Sequence, residues 1–152
     1  MKKEQFVYVT YIRTTPAKLW QALIQPKLTR QFWCDLVQES DWKPGSPWRM
    51  KAPNDLITDS GEVLEIVPQR RLVLKWRNEF RPKLRAEGYS RMTCELEKQG
   101  QSVKLTIIHE MPKAGTKFLQ AVSGGWPLIL ASLKSLLETG ESLVETREWD
   151  CE

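Results

Sequence analysis

Between Trp126 and Leu137 the apolar positions recur with helical spacing: Trp126, Ile129, Leu130, Leu133, Leu136 and Leu137 stand at i, i+3, i+4, i+7, i+10 and i+11. That spacing predicts a helix with one apolar stripe. Ser132, Lys134, Ser135 and Glu138 fall on its polar side, and Gly140 supplies a stop. Burying six such side chains contributes roughly 10 kcal/mol gross. An isolated helix of this length is marginal in water, so the stripe needs a partner surface. Pro127 lacks an N–H and is harmless only in a first turn. The continuous helix is therefore expected to start at Ser123 to Gly125, with 118–122 a preceding turn or kinked extension. Gly124 and Gly125 are expected to let that first turn lie close to the partner surface.

Upstream the period is two. Phe6, Tyr8, Thr10 and Ile12 alternate with Val7, Val9 and Tyr11, which predicts a strand apolar on both faces. Thr15 as N-cap and Pro16 at the first helical position start a short helix carrying Leu19, Trp20 and Leu23 and ended by Pro26. A second short helix is expected over 27–32. Strands are then expected near Trp33–Glu39, Trp48–Lys51, Gly61–Val67, Leu72–Trp76, Tyr89–Glu97 and Val103–Glu110, separated by turn signals at 43–45, 53–55, 68–70 and 99–101. Short connections imply sequential antiparallel neighbours, hence a meander. With the terminal helix this makes an α+β domain over residues 1–140: a curved antiparallel sheet wrapped around one long helix, with two short helices after the first strand. The tail, 141–152, either docks through Leu143, Val144 and Trp149 or frays.

A chain of 152 residues that is 41% hydrophobic and 28% charged fits one globular domain. No apolar run reaches the length of a membrane span. The alternation after Lys2 and Lys3 is not a signal-peptide pattern, so a cytoplasmic protein is expected. Cys34, Cys94 and Cys151 are widely spaced with no CxxC, which indicates neither a disulfide framework nor a thiolate metal site. His109 is the one histidine, which excludes a multi-histidine metal centre. No metal or cofactor is expected. A net charge of +4 does not make a nucleic-acid binder, which would show a clustered basic face or a known module. The basic residues that do cluster lie between Lys75 and Arg91, six of them against Glu79 and Glu87. No GxSxG, P-loop or dinucleotide fingerprint occurs, so no catalytic residue is assigned.

Six stretches, TTPAKLWQAL, QFW, SDWKPGSPW, GEVLEIVPQRRLVLKW, VKLTIIHE and SGGWPLILASLKSLLETG, follow one another in this order. Together they resemble the START-like (SRPBCC, Bet v-like) helix-grip superfamily, and within it the family of homologues of the activator of the heat-shock protein 90 ATPase, the AHSA type. The resemblance runs from about Phe6 to Gly140 and implies the helix-grip fold. For function it implies three classes, which the residues leave open. One is binding or carriage of a small hydrophobic or amphipathic ligand, anionic in one version, in a cavity between sheet and terminal helix. Another is an interaction module like the chaperone-ATPase activator, with a chaperone partner and a stress-response role. The third is a cyclase-like or hydrolase-like enzyme on the same scaffold. Monomer and homodimer are both compatible with it.

A meander alternates its ends. Connections around 43–45, 68–70 and 99–101 share one end, and the longer ones around 53–58, 78–88 and 111–117 share the other, which is the expected mouth. Arg81, Lys83 and Arg85 would give that mouth a basic rim suited to an amphipathic anion. Alternation puts Trp48 with Met50, Leu72 with Leu74 and Trp76, Met92 with Cys94 and Leu96, and Leu105 with Ile107 and His109 on the inner face. These side chains either fill a core or line a cavity. The candidate ligand-binding residues are Trp48, Glu65, Trp76, Met92, His109, Phe118, Val122 and Trp126. Glu65 shares a face with Val63 and Val67, and the resemblance implies a carboxylate at this place. It either pairs with His109 inside or is solvated outside. His109 itself is a satisfied core residue, a ligand-orienting group or a general base.

Overall fold

Alternating sequence becomes strand and helical spacing becomes helix along residues 3–149, which the computed structural model describes. The order is β1 (Glu4–Ile12), α1 (Pro16–Ile24), α2 (Pro26–Phe32), β2 (Val37–Ser40), β3 (Pro47–Lys51), β4 (Ile57–Val67), β5 (Arg71–Asn78), the single turn α3 (Pro82–Arg85), β6 (Ser90–Gln99), β7 (Ser102–Met111) and α4 (Lys117–Thr139), then a 3-10 turn at Val144–Thr146. The strands form one antiparallel sheet in the order β1-β7-β6-β5-β4-β3-β2. Register shifts at Met50/Lys51 and Val63/Glu65 bend the strands. The sheet curves around α4 in the helix-grip arrangement expected from the sequence. All four inner-face sets are buried, with Leu74, Leu105 and His109 at 0% exposure.

The first short helix forms as its caps predict. Thr15 Oγ1 accepts from the Lys18 amide at 3.2 Å, and Pro16 occupies the first position. The long helix does not start where Pro127 suggested. Thr116 Oγ1 accepts from the Leu119 amide at 3.3 Å, and the Glu87 carboxylate accepts from the Lys117 and Phe118 amides, both at 2.8 Å. These acceptors satisfy the first orphan amides, so α4 begins at Lys117 and 118–122 is ordinary helix. Pro127 lies inside it and forfeits one internal bond. Gly124 and Gly125 do not lie close against the sheet. Both are exposed, and a Cβ placed on either would meet nothing within 4 Å. At its far end α4 stops at Gly140 with φ 87°, the left-handed cap.

Other local expectations also change. Trp33–Leu36 is not strand: Cys34 and Asp35 take positive φ of 52° and 59°, turning the chain before β2. The Cys34 amide donates to the Thr146 carbonyl at 2.8 Å, so the turn is held by the tail. Ser132, placed on the polar side of the helix, is buried beneath that tail, where its Oγ accepts from the Leu143 amide at 3.0 Å and contacts Thr146 Oγ1 at 2.6 Å. Leu143 is half-buried, Val144 exposed, and Trp149 packs on Phe80 at 5.7 Å. Residues 150–152 lie outside the described residues. Cys34 is disulfide-bonded, against the expectation from cysteine spacing, because separation along the chain does not show which cysteines meet in space. Cys94 is free and buried, and burial pushes its thiol up to about 12.

Gly61 stands between Trp48 and Trp76 in the cross-strand register, and the two indole rings meet with centroids 4.6 Å apart. A Cβ at Gly61 would lie 1.7 Å from the Lys75 carbonyl oxygen, and backbone cannot rotate aside as a flexible side chain does. Gly61→Ala is expected to destabilise the fold by at least ~3 kcal/mol, or prevent folding, measured as the midpoint of urea unfolding. An unchanged midpoint would show that the strand can relax there.

Candidate functional site

The sheet's register builds the floor of a cavity. Met50 pairs with Asp59 and Asp59 with Asn78, so a thioether, a carboxyl and an amide lie side by side across β3, β4 and β5. The next row inward is Trp48, Gly61, Trp76 and Ser90. Above them α4 contributes Phe118, Val122, Gly124, Gly125, Trp126 and Ile129. Trp33 and Leu36 from the α2–β2 connection, Arg81 and Leu84 from the β5–β6 connection, and Trp149 from the tail complete the wall. The cavity volume is about 400 Å³, within the range of small-molecule sites. It sits at the end of the meander that carries the longer connections.

Aromatic rings dominate the wall. Trp33 lies 5.2 Å from Trp126 and 6.1 Å from Trp76 between centroids, and Trp76 lies 5.9 Å from Trp126. Behind this triangle is His109, fully buried on β7. The Trp126 indole N–H can only donate, and it reaches His109 Nδ1 at 3.1 Å. The other ring nitrogen, Nε2, must then carry the proton and donates to Ser90 Oγ at 2.8 Å. Ser90 in turn donates to the Trp76 carbonyl at 2.9 Å. Every member is satisfied, with one proton arrangement only. Burial holds the imidazole down to about 3, and a second ring proton would face the indole N–H. Both ring nitrogens are engaged, and His109 does not line the cavity. It supports the wall.

The carboxylate in the cavity is Asp59, not Glu65. An extra residue in β4, between Val63 and Glu65 in the register, breaks the alternation. Val63 therefore points in, while Glu65 points out and accepts from Arg71 Nε at 2.9 Å, with Arg71 also reaching Glu95 at 2.8 Å. Asp59 is 9% exposed and its Oδ2 accepts from the Trp76 indole at 2.7 Å. Burial pushes its carboxyl up to about 6, against hydrogen bonds from Trp76 and Thr58; the Glu79 charge adds to the rise and Arg81 opposes it. Asp59 could have been found from sequence, since it precedes Gly61 and Val63 by two and four positions. The strand was expected to begin only at Gly61, so Asp59 fell outside it, whereas β4 starts at Ile57.

The remaining candidates divide by position. Trp76, Phe118, Val122 and Trp126 line the cavity, whereas Trp48 and Met92 are buried behind it. Trp48 donates to Gln38 Oε1 at 2.9 Å. Of the expected basic rim, Arg81 lines the cavity, with its guanidinium 5.1 Å from the Phe80 ring. Arg85 is held at 3.3 Å by Glu79, which also takes Arg77 at 2.7 Å. Lys83 is exposed and apart from the wall. Trp33 and Trp149 were not legible as wall, because loop and tail residues carry no periodicity. Among the described residues no group of His, Cys, Asp and Glu could hold a metal ion, and no helix is long and apolar enough to cross a membrane.

A family model described as Activator of Hsp90 ATPase homolog 1-like protein matches residues 13–138. No curated protein matches the chain. Among solved structures, the Aha1 dimer from Colwellia psychrerythraea is similar at 18% identity and TM-score 0.71, over 91% of this chain and 99% of that one. Protein MLL2253 from Mesorhizobium loti is similar at 22% identity and TM-score 0.75, over 89% and 97%. CalU16 from Micromonospora echinospora is similar at 19% identity and TM-score 0.74, over 95% and 80%. At these identities the likeness concerns the fold.

Two of the buried titrating groups, His109 and Asp59, pull stability in opposite directions. Unfolded His109 takes up a proton below its ordinary value of 6.5, which the folded protein refuses until about 3, so its contribution is lost as pH falls through that window. Folded Asp59 keeps its proton up to about 6 against an ordinary 3.8, so its contribution is lost as pH rises through that window. The opposing slopes cancel where the windows overlap. Asp59→Asn should expose the histidine slope, approaching ~1.4 kcal/mol per pH unit between about pH 4 and 6, while raising stability at pH 7. Urea unfolding across pH checks this, and equal slopes in both proteins would contradict it.

Proposed function

Starting from a chain that belongs to the Activator of Hsp90 ATPase homolog 1-like family, we propose that it binds or carries a small hydrophobic or amphipathic molecule in the cavity between sheet and α4. The observation that carries this reading is the cavity itself, about 400 Å³ between Trp33, Trp76, Phe118 and Trp126, room for a small guest. The walls suit one: indole and phenyl faces, a thioether at Met50, and few polar groups. In this reading the preformed wall, held by the His109 relay, binds without large rearrangement.

A second reading, contact with a chaperone, is favoured by the family's description alone. A stoichiometric complex with an Hsp90-type chaperone in pull-down would support it. The homodimer state belongs with it as a question for solution mass, since one similar structure is a dimer.

Ligand entry is measurable without a label, because Trp33, Trp76, Trp126 and Trp149 all touch the cavity. Titration with 2-methylnaphthalene, a neutral aromatic probe, should change tryptophan fluorescence saturably. Val122→Trp, which enlarges a half-buried side chain on the cavity wall, should weaken binding by at least about tenfold while the near-UV circular dichroism still reports a folded protein. Undiminished binding in that variant would place the probe elsewhere, and no saturable binding to the native protein would end the reading.

A further inference from the structure

We propose that the cavity selects an uncharged hydroxyl compound, an alcohol or phenol on an aromatic or alkyl body, whose hydroxyl accepts from Asn78 Nδ2 and donates to the Asp59 carboxylate. This deepens the cavity reading and rests on it.

The polar part of the wall is one corner. Indole N–H groups aside, the polar side chains that line the cavity are Asp59, Asn78 and Arg81. They are contiguous: Asp59 pairs with Asn78 across β4 and β5, and Asn78 Oδ1 accepts from the Arg81 amide at 3.0 Å. Asn78 is only 7% exposed, yet among the described residues its Nδ2 donates to nothing. Those residues include no enclosed side-chain nitrogen or oxygen without a partner. Nδ2 therefore opens onto accessible space, and the space that Asn78 lines is the cavity. Asp59 Oδ2 accepts from the Trp76 indole at 2.7 Å, and a carboxylate keeps acceptor sites beyond that one. A free donor and a spare acceptor thus stand on neighbouring strands, at one corner of an otherwise apolar wall. Charge narrows the class of guest. Asp59 is ionised above about pH 6, and the positive charge of Arg81 acts on it. An ion of either sign would meet one like charge in this corner. A hydroxyl brings no charge, and its single oxygen both accepts and donates. An apolar guest lacking one would cover Nδ2 and leave it unpaired, which is unfavourable.

The test is a series on one frame, 2-naphthalenemethanol, 2-methylnaphthalene, 2-naphthoate and 2-naphthylmethylammonium, each titrated by calorimetry at about pH 7.5. The native protein should bind the alcohol at least about tenfold tighter than the hydrocarbon, and tighter than either ion. Asn78→Leu, similar in size but without the donor, should bring alcohol and hydrocarbon within about threefold of each other. Asp59→Asn keeps an acceptor for the Trp76 indole but leaves Arg81 without its opposing charge. In that variant the naphthoate should gain at least about tenfold relative to the alcohol. Near-UV circular dichroism checks the fold of both variants. Equal affinity of alcohol and hydrocarbon in the native protein, or tightest binding of either ion, overturns the proposal while leaving the cavity reading intact. An alcohol preference undiminished in Asn78→Leu overturns the assignment to Asn78. A naphthoate affinity unmoved by Asp59→Asn overturns the assignment to Asp59. No binding of any probe to the native protein removes both readings. The native series decides even if a variant fails to fold.

Discussion

A neutral imidazole wedged between helix and sheet determines how the rest of this molecule is arranged. His109 has room for one tautomer, because the indole of Trp126 demands an acceptor on one side and Ser90 offers an acceptor on the other. The chain of donors ends on the Trp76 backbone carbonyl, so α4, β7, β6 and β5 share one hydrogen-bond network. Such a network in a dry interior resists rearrangement, since breaking any link strands a buried polar atom. It also fixes the rotation of α4 about its axis. Trp126 cannot leave the sheet without abandoning His109, and it is Trp126 that faces Trp33 and Trp76 across the cavity. The bonds that hold the fold together therefore also shape the site.

The cavity lies where the close packing of the α4 stripe runs out. Leu130 and Leu133 are buried to 1% and 0%, with sheet beneath them. One to two turns earlier the helix turns Trp126 and Val122 to the cavity instead. Glu87 joins this open end to the sheet, since its carboxylate holds the first amides of α4 from the β5–β6 connection. The connection that forms one side of the mouth and the helix that forms the roof are thus bonded to each other. Acidic side chains have divided roles here: Glu87 caps a helix, Glu79 gathers guanidinium groups, and Asp59, alone among the described acidic residues, lines the cavity.

Much of this was legible in the amino-acid sequence. Period-two runs identified the inner faces of β3, β5, β6 and β7 correctly down to His109, because alternation is geometric and survives as long as the ladder is regular. It failed at Glu65, where one extra residue in β4 reverses the face and no local composition marks the bulge. The start of α4 was misplaced for a different reason. Pro127 is a local signal, whereas the Glu87 cap is a contact made 30 residues away in sequence, visible only once the sheet has folded. Trp33 and Trp149 belong to segments without regular period, so nothing in their spacing could assign them to a wall. The carboxylate was sought on the right strand but in the wrong register, and β4 extends further toward the mouth than its turn-like residues suggested.

The glycine pair in α4 carries a consequence for how such a protein changes over generations. Substituting alanine at Gly124 or Gly125 needs one base change, meets no neighbour and strengthens the helix by up to about 1 kcal/mol. Both positions are exposed, so no packing in the folded chain opposes the change, and drift under selection for stability alone would run toward alanine. Two adjacent glycines beside Trp126 are the uphill state on that gradient.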